Sequence, residues 1–394
     1  MNQPLVSVVI PTYNRAALVQ TAIDSVFAQN YPRLEIIVVD DGSSDDTGAI
    51  LATRYGQEIQ YFWQENQGES VARNKGIAVA HGEYIALLDS DDQWLPEKIE
   101  RQLEVMERST GVVVSGCQVH TTDFNGRLIE DTGFYTDDQA ENLTLERMLL
   151  ANTFGGGSTA LIRCHSLRQL GGFDPSIRFG EDWDLWLRML INGGKFAMIS
   201  EPLVLVRRHH NAQCHLPRPE NLDRVLRDHL RLLHNAFDSL APLSETLQVL
   251  HTRSIGRQYL EAAFAGFAWQ KSIDAAQWLT KAFQLDPGIW SNGLHLSTLL
   301  VNYGAAITEI EDEFTPCRID RYVNSLFDAL NSHQRLSVSI RRKARAQLYA
   351  DAGFRLFQAQ EMDRARQYMT VALRSDPGLW RDLGLLRRWY ASWK

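Results

Sequence analysis

Cysteine is scarce in this chain: four in 394 residues, at positions 117, 164, 214 and 317, with no C-x-x-C among them. Such spacing excludes a disulfide framework and points to the reduced thiols of a cytoplasmic protein. Long apolar runs are missing as well. No stretch approaches the roughly 18–20 residues that a membrane-crossing helix needs, so any work at a membrane is expected from its surface. Met1-Asn2-Gln3-Pro4 carries neither the charged nor the apolar segment of a secretory leader. A basic excess is also lacking. Lys and Arg number 40 against 48 Asp and Glu, a formal charge of −8, which argues against a dedicated nucleic-acid binder. Gly155-Gly156-Gly157 is followed by no G-K-[ST], so a P-loop is excluded.

What is present suits a globular protein of two domains, with 44% hydrophobic and 22% charged residues. The periodicity changes once along the chain. Residues 1–217 alternate strand and helix patterns, and residues 218–394 read as helical throughout. Val6-Ser7-Val8-Val9-Ile10 is a near-continuous β-branched run of the kind found in buried parallel strands. Asn14 is placed to cap a helix carrying Ala17, Leu18, Ala22, Ile23, Val26 and Phe27 on one buried face. A second strand, Glu35–Val39, ends in Asp40-Asp41-Gly42-Ser43, and the strand around Tyr84–Leu88 ends in Asp89-Ser90-Asp91-Asp92. The alternation predicts an α/β fold with a mostly parallel sheet between helices and right-handed crossovers.

Three carboxylates within four positions repel one another at a strand end. A hard divalent cation relieves that cost, and the crevice beyond strand carboxyl ends is where ligands of open α/β sheets bind. The plainer reading is an acidic turn before the helix near Pro96. Two acidic strand ends with an arginine helix between them favour a nucleotide-diphosphate site instead, because arginine pairs with phosphate oxygens.

Four stretches together resemble the family 2 inverting glycosyltransferases: Val8–Arg15, Val39–Ser43, Ala72-Arg73-Asn74-Lys75-Gly76, and Leu88–Asp92. The resemblance implies a GT-A fold, a nucleotide diphosphate-sugar donor (a UDP-sugar first) and Mn²⁺ or Mg²⁺. It further implies that Pro11, Tyr13 and Asp41 contact the donor nucleotide and Arg73 the nucleotide or diphosphate. Asp89 and Asp91 form the D-x-D, with Asp91 the direct metal ligand, while Asp40 supports its turn.

An inverting transfer also needs a base, because the acceptor hydroxyl must lose its proton as it attacks. Gly180-Glu181-Asp182-Trp183-Asp184 opens a helix. Acidic residues there complement the helix dipole, but the resemblance assigns the base to Asp182, with Glu181 assisting. Asp184 is expected at a capping or solvated position, and Trp183 and Trp186 as core residues or a sugar platform. By the same resemblance His209, in Arg207-Arg208-His209-His210, folds over the donor diphosphate or adds a metal ligand. His209, His210, Cys214 and His215 fit no standard zinc spacing.

The helical half contains an echo. Phe264, Phe267, Ala275, Ala282 and Asp286-Pro287-Gly288-Ile289-Trp290 recur 90 residues later as Phe354, Phe357, Ala365, Ala372 and Asp376-Pro377-Gly378-Leu379-Trp380. Each copy resembles one tetratricopeptide-type helix pair, although 90 is no multiple of the 34-residue period. Residues 331–394 carry 13 basic against 5 acidic side chains. With the aromatic end Trp389-Tyr390-Ala391-Ser392-Trp393 they suggest docking on an anionic membrane surface or a partner protein. The expected acceptor is a saccharide, a lipid-linked sugar or a protein. The competing class is a catalytically idle nucleotide-sugar-binding scaffold, which needs no base at position 182. A nucleotidyltransferase shares the D-x-D but lacks its glycine-rich phosphate loop here.

Overall fold

The computed structural model describes residues 3–109, 111–123, 126, 128–130, 143–207, 218–289, 299, 303, 316–332, 338–358 and 361–378. The chain divides into two compact units. One comprises Met1–Ala212 with Asp228–His251, the other Gln213–Arg227 with Thr252–Lys394.

The first unit is built on a single sheet. Its strands are β1 (Val6–Thr12), β2 (Leu34–Asp40), β3 (Gln60–Trp63), β4 (Tyr84–Leu87), β5 (Gln93–Trp94), β6 (Val112–Thr122), β7 (Leu128–Glu130), β8 (Leu161–Arg163) and β9 (Lys195–Arg207). They lie in the order β3-β2-β1-β4-β8-β6-β9-β5, with β7 paired to β6. The first four are parallel. β8 then runs antiparallel to β4 and β6, while β9 returns parallel to β6. All seven residues of β1 are buried, as a central parallel strand covered on both faces requires. Helices α1 (Ala16–Phe27), α2 (Thr47–Tyr55), α3 (Glu69–Val79) and α4 (Lys98–Arg108) connect the early strands.

The apolar faces of α1 and α4 meet the sheet through Val19, Ala22, Ile23 and Val26, and through Ile99, Leu103 and Met106, respectively. α3 comes closer still. A Cβ on Gly76 would lie 2.4 Å from Val9 Cγ1, so only glycine lets this helix ride directly over β1. That approach carries Arg73, one turn earlier, above the strand ends.

Two local expectations change. Asn14 does not cap α1. It adopts φ +49°, and its Oδ1 accepts from Ser44 N at 2.8 Å, tying the loop after β1 to the loop after β2. The first turn of α1 is capped from that neighbouring loop, where Asp45 Oδ2 accepts from Ala16 N at 3.2 Å. Short helices at Leu145–Leu150 (α5) and Cys164–Gln169 (α6) were not legible from periodicity, being too brief to show it. They precede α7 (Glu181–Ile191). Cys117 and Cys164 are free thiols, both buried.

In the second unit the sequence echo becomes a structural one. Helix Glu245–Ala268 is followed by Ser272–Leu285, and helix Val338–Gln358 by Met362–Ser375. The ends at 268, 272 and 285 are matched 90 residues later by those at 358, 362 and 375. Both second helices end alike. Asp286 N donates to Ala282 O and Asp376 N to Ala372 O, each at 2.9 Å, and each aspartate accepts from the glycine two residues on. Ala275, Ala282, Ala365 and Ala372 are all buried. Helix Pro316–Asn331 contacts both Ser272–Leu285 and Val338–Gln358. Among the described residues no helix is long and apolar enough to cross a membrane.

Candidate active site

The strand order reverses between β1 and β4, because β2 and β3 build outward on one side of β1 before the chain returns to its other side. Such a reversal opens a crevice at the carboxyl ends of the strands. The end of β1 brings Pro11 there, the loop after it Tyr13 and Arg15, and the loop after β4 Asp89, Ser90, Asp91 and Asp92. Pro11 is buried in the strand, whereas Tyr13 is 49% exposed.

On the β2 side the acidic turn is internally satisfied. Asp40 Oδ1 accepts from Ser43 N at 2.8 Å and its Oδ2 from Tyr61 Oη at 2.7 Å, a turn-supporting role. Asp41 is also buried. It accepts from Gln64 Nε2 at 2.7 Å, Gln67 N at 2.9 Å and Gly68 N at 2.8 Å. Its carboxylate thereby shapes the loop that leads into α3.

On the β4 side charge is balanced differently. Asp89 Oδ1 meets Arg73 Nη2 at 2.8 Å, and Asp91 Oδ1 meets Arg15 Nη1 at 2.9 Å. Asp92 is buried, accepts from Arg207 N at 3.1 Å, and is held well above the usual carboxylate range by burial and by Asp91 and Asp89. The Arg207 side chain donates to Asp91 O at 3.2 Å, so the end of β9 clamps this turn.

Arg73 is the hub. Its guanidinium is only 2% exposed, yet it faces Glu69 at 2.6 Å, Asp89 at 2.8 Å, Glu181 at 2.9 Å and Asp182 at 3.7 Å, and stacks over Phe173. Burial alone would disfavour its charge; Glu69, Asp89, Asp182 and Glu181 together hold it protonated. In this structure its donors are turned to carboxylates of the cleft. Glu69 is pushed up to about 7 by desolvation, against the pull of Arg73 and with Asp89 and Glu181 adding to the rise. Its side chain is 46% exposed, so solvent screens part of that shift.

Glu181 and Asp182 occupy the first turn of α7. The triple-glycine loop lies against them: Gly157 N donates to Asp182 Oδ2 at 2.9 Å, while Asp182 Oδ1 is buried without a hydrogen-bond partner. Desolvation raises the Asp182 pKa well above the ordinary value; Arg73 opposes the rise, and Glu181, Asp89 and Glu69 add to it. Beside Gly157, Ser158 Oγ accepts from Asp89 N at 3.0 Å. One short turn, Gly157–Thr159, thus touches both the D-x-D backbone and the base candidate.

Other expectations on α7 are corrected. Asp184 is neither solvated nor a cap: it is buried and paired with Arg188 at 2.8 Å. Trp183 and Trp186 are core residues, their indole N–H groups donating to Met148 O and Gly155 O. No sugar platform is formed by them. His209, and with it His210, Cys214 and His215, lies outside the described residues, as does the aromatic C-terminal end. Sequence reasoning passed over Arg15, Glu69, Ser158 and Arg207 as contributors to the site. Arg15 and Arg207 stand beside motifs that were read, but nothing in their spacing tells which carboxylate they reach.

The sequence profile of glycosyl transferase family 2 matches residues 7–171. The putative teichuronic acid biosynthesis glycosyltransferase TuaG of Bacillus subtilis is 35% identical over 216 residues, covering 53% of this chain and 81% of that protein. The chain belongs to glycosyl transferase family 2. An uncharacterised glycosyltransferase of Rickettsia typhi is 36% identical over 214 residues, or 53% of this chain, which spans 65% of that protein's length. Among solved structures, Staphylococcus aureus TarS 1–349 aligns with 94% of this chain and 92% of its own at 18% identity, with a TM-score of 0.49. The mostly parallel sheet flanked by helices is GT-A-like, and an all-α region follows it.

Family membership raises the question of a divalent ion. Among the described residues no group of three or more His, Cys, Asp or Glu is arranged as a complete metal cage. Mg²⁺-type ions need less, however. One or two carboxylates suffice when substrate phosphates and water supply the remaining ligands. Asp89 and Asp91, the former 27% exposed and the latter 12% exposed at the side chain, fit that role.

Proposed function

We propose that this glycosyltransferase is a metal-dependent inverting enzyme that moves a sugar from a nucleoside diphosphate donor to an acceptor hydroxyl. The observation that carries the reading is the shared arginine. Arg73 lies within 2.8 Å of Asp89 and 3.7 Å of Asp182, so the donor-side carboxylate and the base candidate face one cleft. In this reading Asp89 and Asp91 hold Mn²⁺ or Mg²⁺, with Asp91 the direct ligand. When bound, the ion neutralises charge on the departing diphosphate. Pro11, Tyr13 and Asp41 form the nucleotide side of the cleft, and Arg73 is a positioning residue for the carboxylates.

Asp182 serves as base. Its Oδ1 takes the proton of the acceptor O–H while the acceptor oxygen bonds to the anomeric carbon. The bond from that carbon to the diphosphate oxygen breaks, and the nucleoside diphosphate leaves with the electron pair. Among the described residues Oδ1 accepts no hydrogen bond and faces the Arg73 guanidinium at 3.7 Å, which leaves a lone pair for that proton, and a raised pKa brings the group nearer neutrality, where general bases work best. Gly157 N keeps the other oxygen in place.

The name of TuaG suggests an acceptor in polysaccharide synthesis; a lipid-linked or protein hydroxyl is compatible with the same chemistry. We place the enzyme in the cytoplasm, with helical hairpins of tetratricopeptide type in its second unit. The test is a panel of UDP- and GDP-sugars with Mn²⁺ and simple saccharide acceptors, read as nucleotide release and product anomeric configuration. Metal-dependent turnover giving the inverted anomer is expected. Donor binding without turnover for any pair would favour the idle scaffold.

A further inference from the structure

The three carboxylates after β4 are each neutralised by a different device. Asp89 has Arg73, which is walled in by three other carboxylates and 2% exposed. Asp92 has the backbone N–H of Arg207. Asp91 has Arg15, whose side chain is 28% exposed and also donates to Ser90 Oγ at 3.3 Å. Departure of Arg73 would strand four carboxylates, whereas departure of Arg15 leaves only Asp91 to be taken over by another cation. Arg15 reaches in from the residue before α1, a loop fixed at its backbone by the Asn14 and Asp45 bonds to the neighbouring loop, so its side chain can swing while its anchor stays.

We propose that Arg15 is an internal counter-ion for the metal-ligand carboxylate. It occupies Asp91 while the cleft is empty, yields it to the divalent cation that enters with the donor, and transfers its own charge to the donor diphosphate. The inference rests on the reading of Asp91 as the metal ligand. Electrostatics gives the direction. A guanidinium and a dication cannot both sit at one carboxylate oxygen without repelling each other, whereas a diphosphate beside the cation offers the guanidinium the fork-matched oxygens it prefers. Arg15 is 28% exposed but Asp91 is buried, its side chain only 12% exposed, so the carboxylate keeps a cationic partner throughout: the guanidinium leaves as the dication arrives. Arg15 thus makes metal binding weak in the absence of donor and couples the two ligands.

The experiment uses the full-length chain with Mn²⁺ alone, followed by UDP and GDP at saturating Mn²⁺. Free Mn²⁺ is counted by electron paramagnetic resonance, and nucleotide affinity is measured by calorimetry. Arg15→Gln is expected to bind Mn²⁺ alone more tightly, by about fivefold or more, since a pair with a buried carboxylate end is worth at least an exposed one. The same variant should bind the Mn²⁺-nucleotide about tenfold more weakly, as loss of a charge-assisted contact implies. Arg15→Lys, which keeps the charge without the fork, should fall between. In an Asp91→Asn background the Arg15→Gln effect on Mn²⁺ should vanish, since the two act through one contact. Thermal melting of every variant within a few degrees of the parent shows that the fold is kept. Unchanged or weaker Mn²⁺ binding by Arg15→Gln, or the same gain in the Asp91→Asn background, overturns the counter-ion. A parent chain that binds neither nucleotide with Mn²⁺ overturns instead the metal-dependent reading on which it stands.

Discussion

The turns after β2 and β4 look alike in sequence, each an acidic pair or triplet with serine at the end of a buried strand, yet they solve their charge in opposite ways. Asp40 and Asp41 are answered by neutral donors: two backbone N–H groups and a glutamine for Asp41, a backbone N–H and a tyrosine for Asp40. Asp89 and Asp91 are answered by arginines, with buried Asp92 beside them. The first turn is a hydrogen-bond hub that shapes one side of the cleft. The second is a concentration of charge held in check, and that is the state from which a cation and a diphosphate can be exchanged for protein partners. Acidic composition alone does not separate the two; what matters is whether the partners are neutral or cationic.

The sharpest way to extend that contrast is the third carboxylate set, on α7. Asp182→Asn should leave nucleotide and Mn²⁺ binding intact while lowering transfer on the order of 10²-fold or more, the usual worth of a general base. Steady-state kinetics beside calorimetry reads both; a collapse of donor binding with transfer retained would move Asp182 to the donor side. Next in size, Asp91→Asn should weaken Mn²⁺ and nucleotide together by about tenfold or more, because an anionic ligand is lost, with little change in denaturant midpoint. Asp41→Asn is the converse experiment. Its amide would turn a donor toward backbone N–H groups that need acceptors, so a loss of about 1–3 kcal/mol in unfolding free energy is expected. If Asp41→Asn alters Mn²⁺ binding while Asp91→Asn alters stability, the distinction between the turns is wrong.

Two pH effects are smaller. Because the pKa of Asp182 is raised, the basic form accumulates only above the ordinary aspartate range. The acid limb of kcat/KM should therefore lie above about 4, rise with pH, and disappear in Asp182→Asn. A pH-independent profile would exclude a titrating carboxylate base. Away from the site, Lys98 is fully buried, bonded to Gln102 at 2.7 Å and set over the Trp94 ring. Burial lowers it to about 8. The unfolded chain then binds more protons between pH 8 and about 10.5, so stability should rise with pH across that window. Lys98→Met should flatten the rise, measured by urea denaturation at a series of pH values. An equal slope in both proteins would show that another group is responsible.

The sequence by itself determined the alternation of β-branched runs and amphipathic helices, the acidic strand ends, the arginine helix and the E-D pair on α7. Each is a local pattern whose period or turn chemistry is set within a few residues. It also determined the repeated helix pair of the second unit, since a 90-residue echo needs no tertiary knowledge to be seen. Tertiary structure decided the partners. Asn14 reads as a helix cap until the neighbouring loop offers three donors to its side chain. Asp184 reads as solvated until Arg188 covers it in the core. Arg73 reads as a nucleotide or diphosphate ligand, and only the fold adds that four carboxylates from three segments converge on it. Charge acts through space and falls with distance and burial, not with separation along the chain. A list of charged residues can therefore name the members of a site, while only the folded sheet says which of them are already paired.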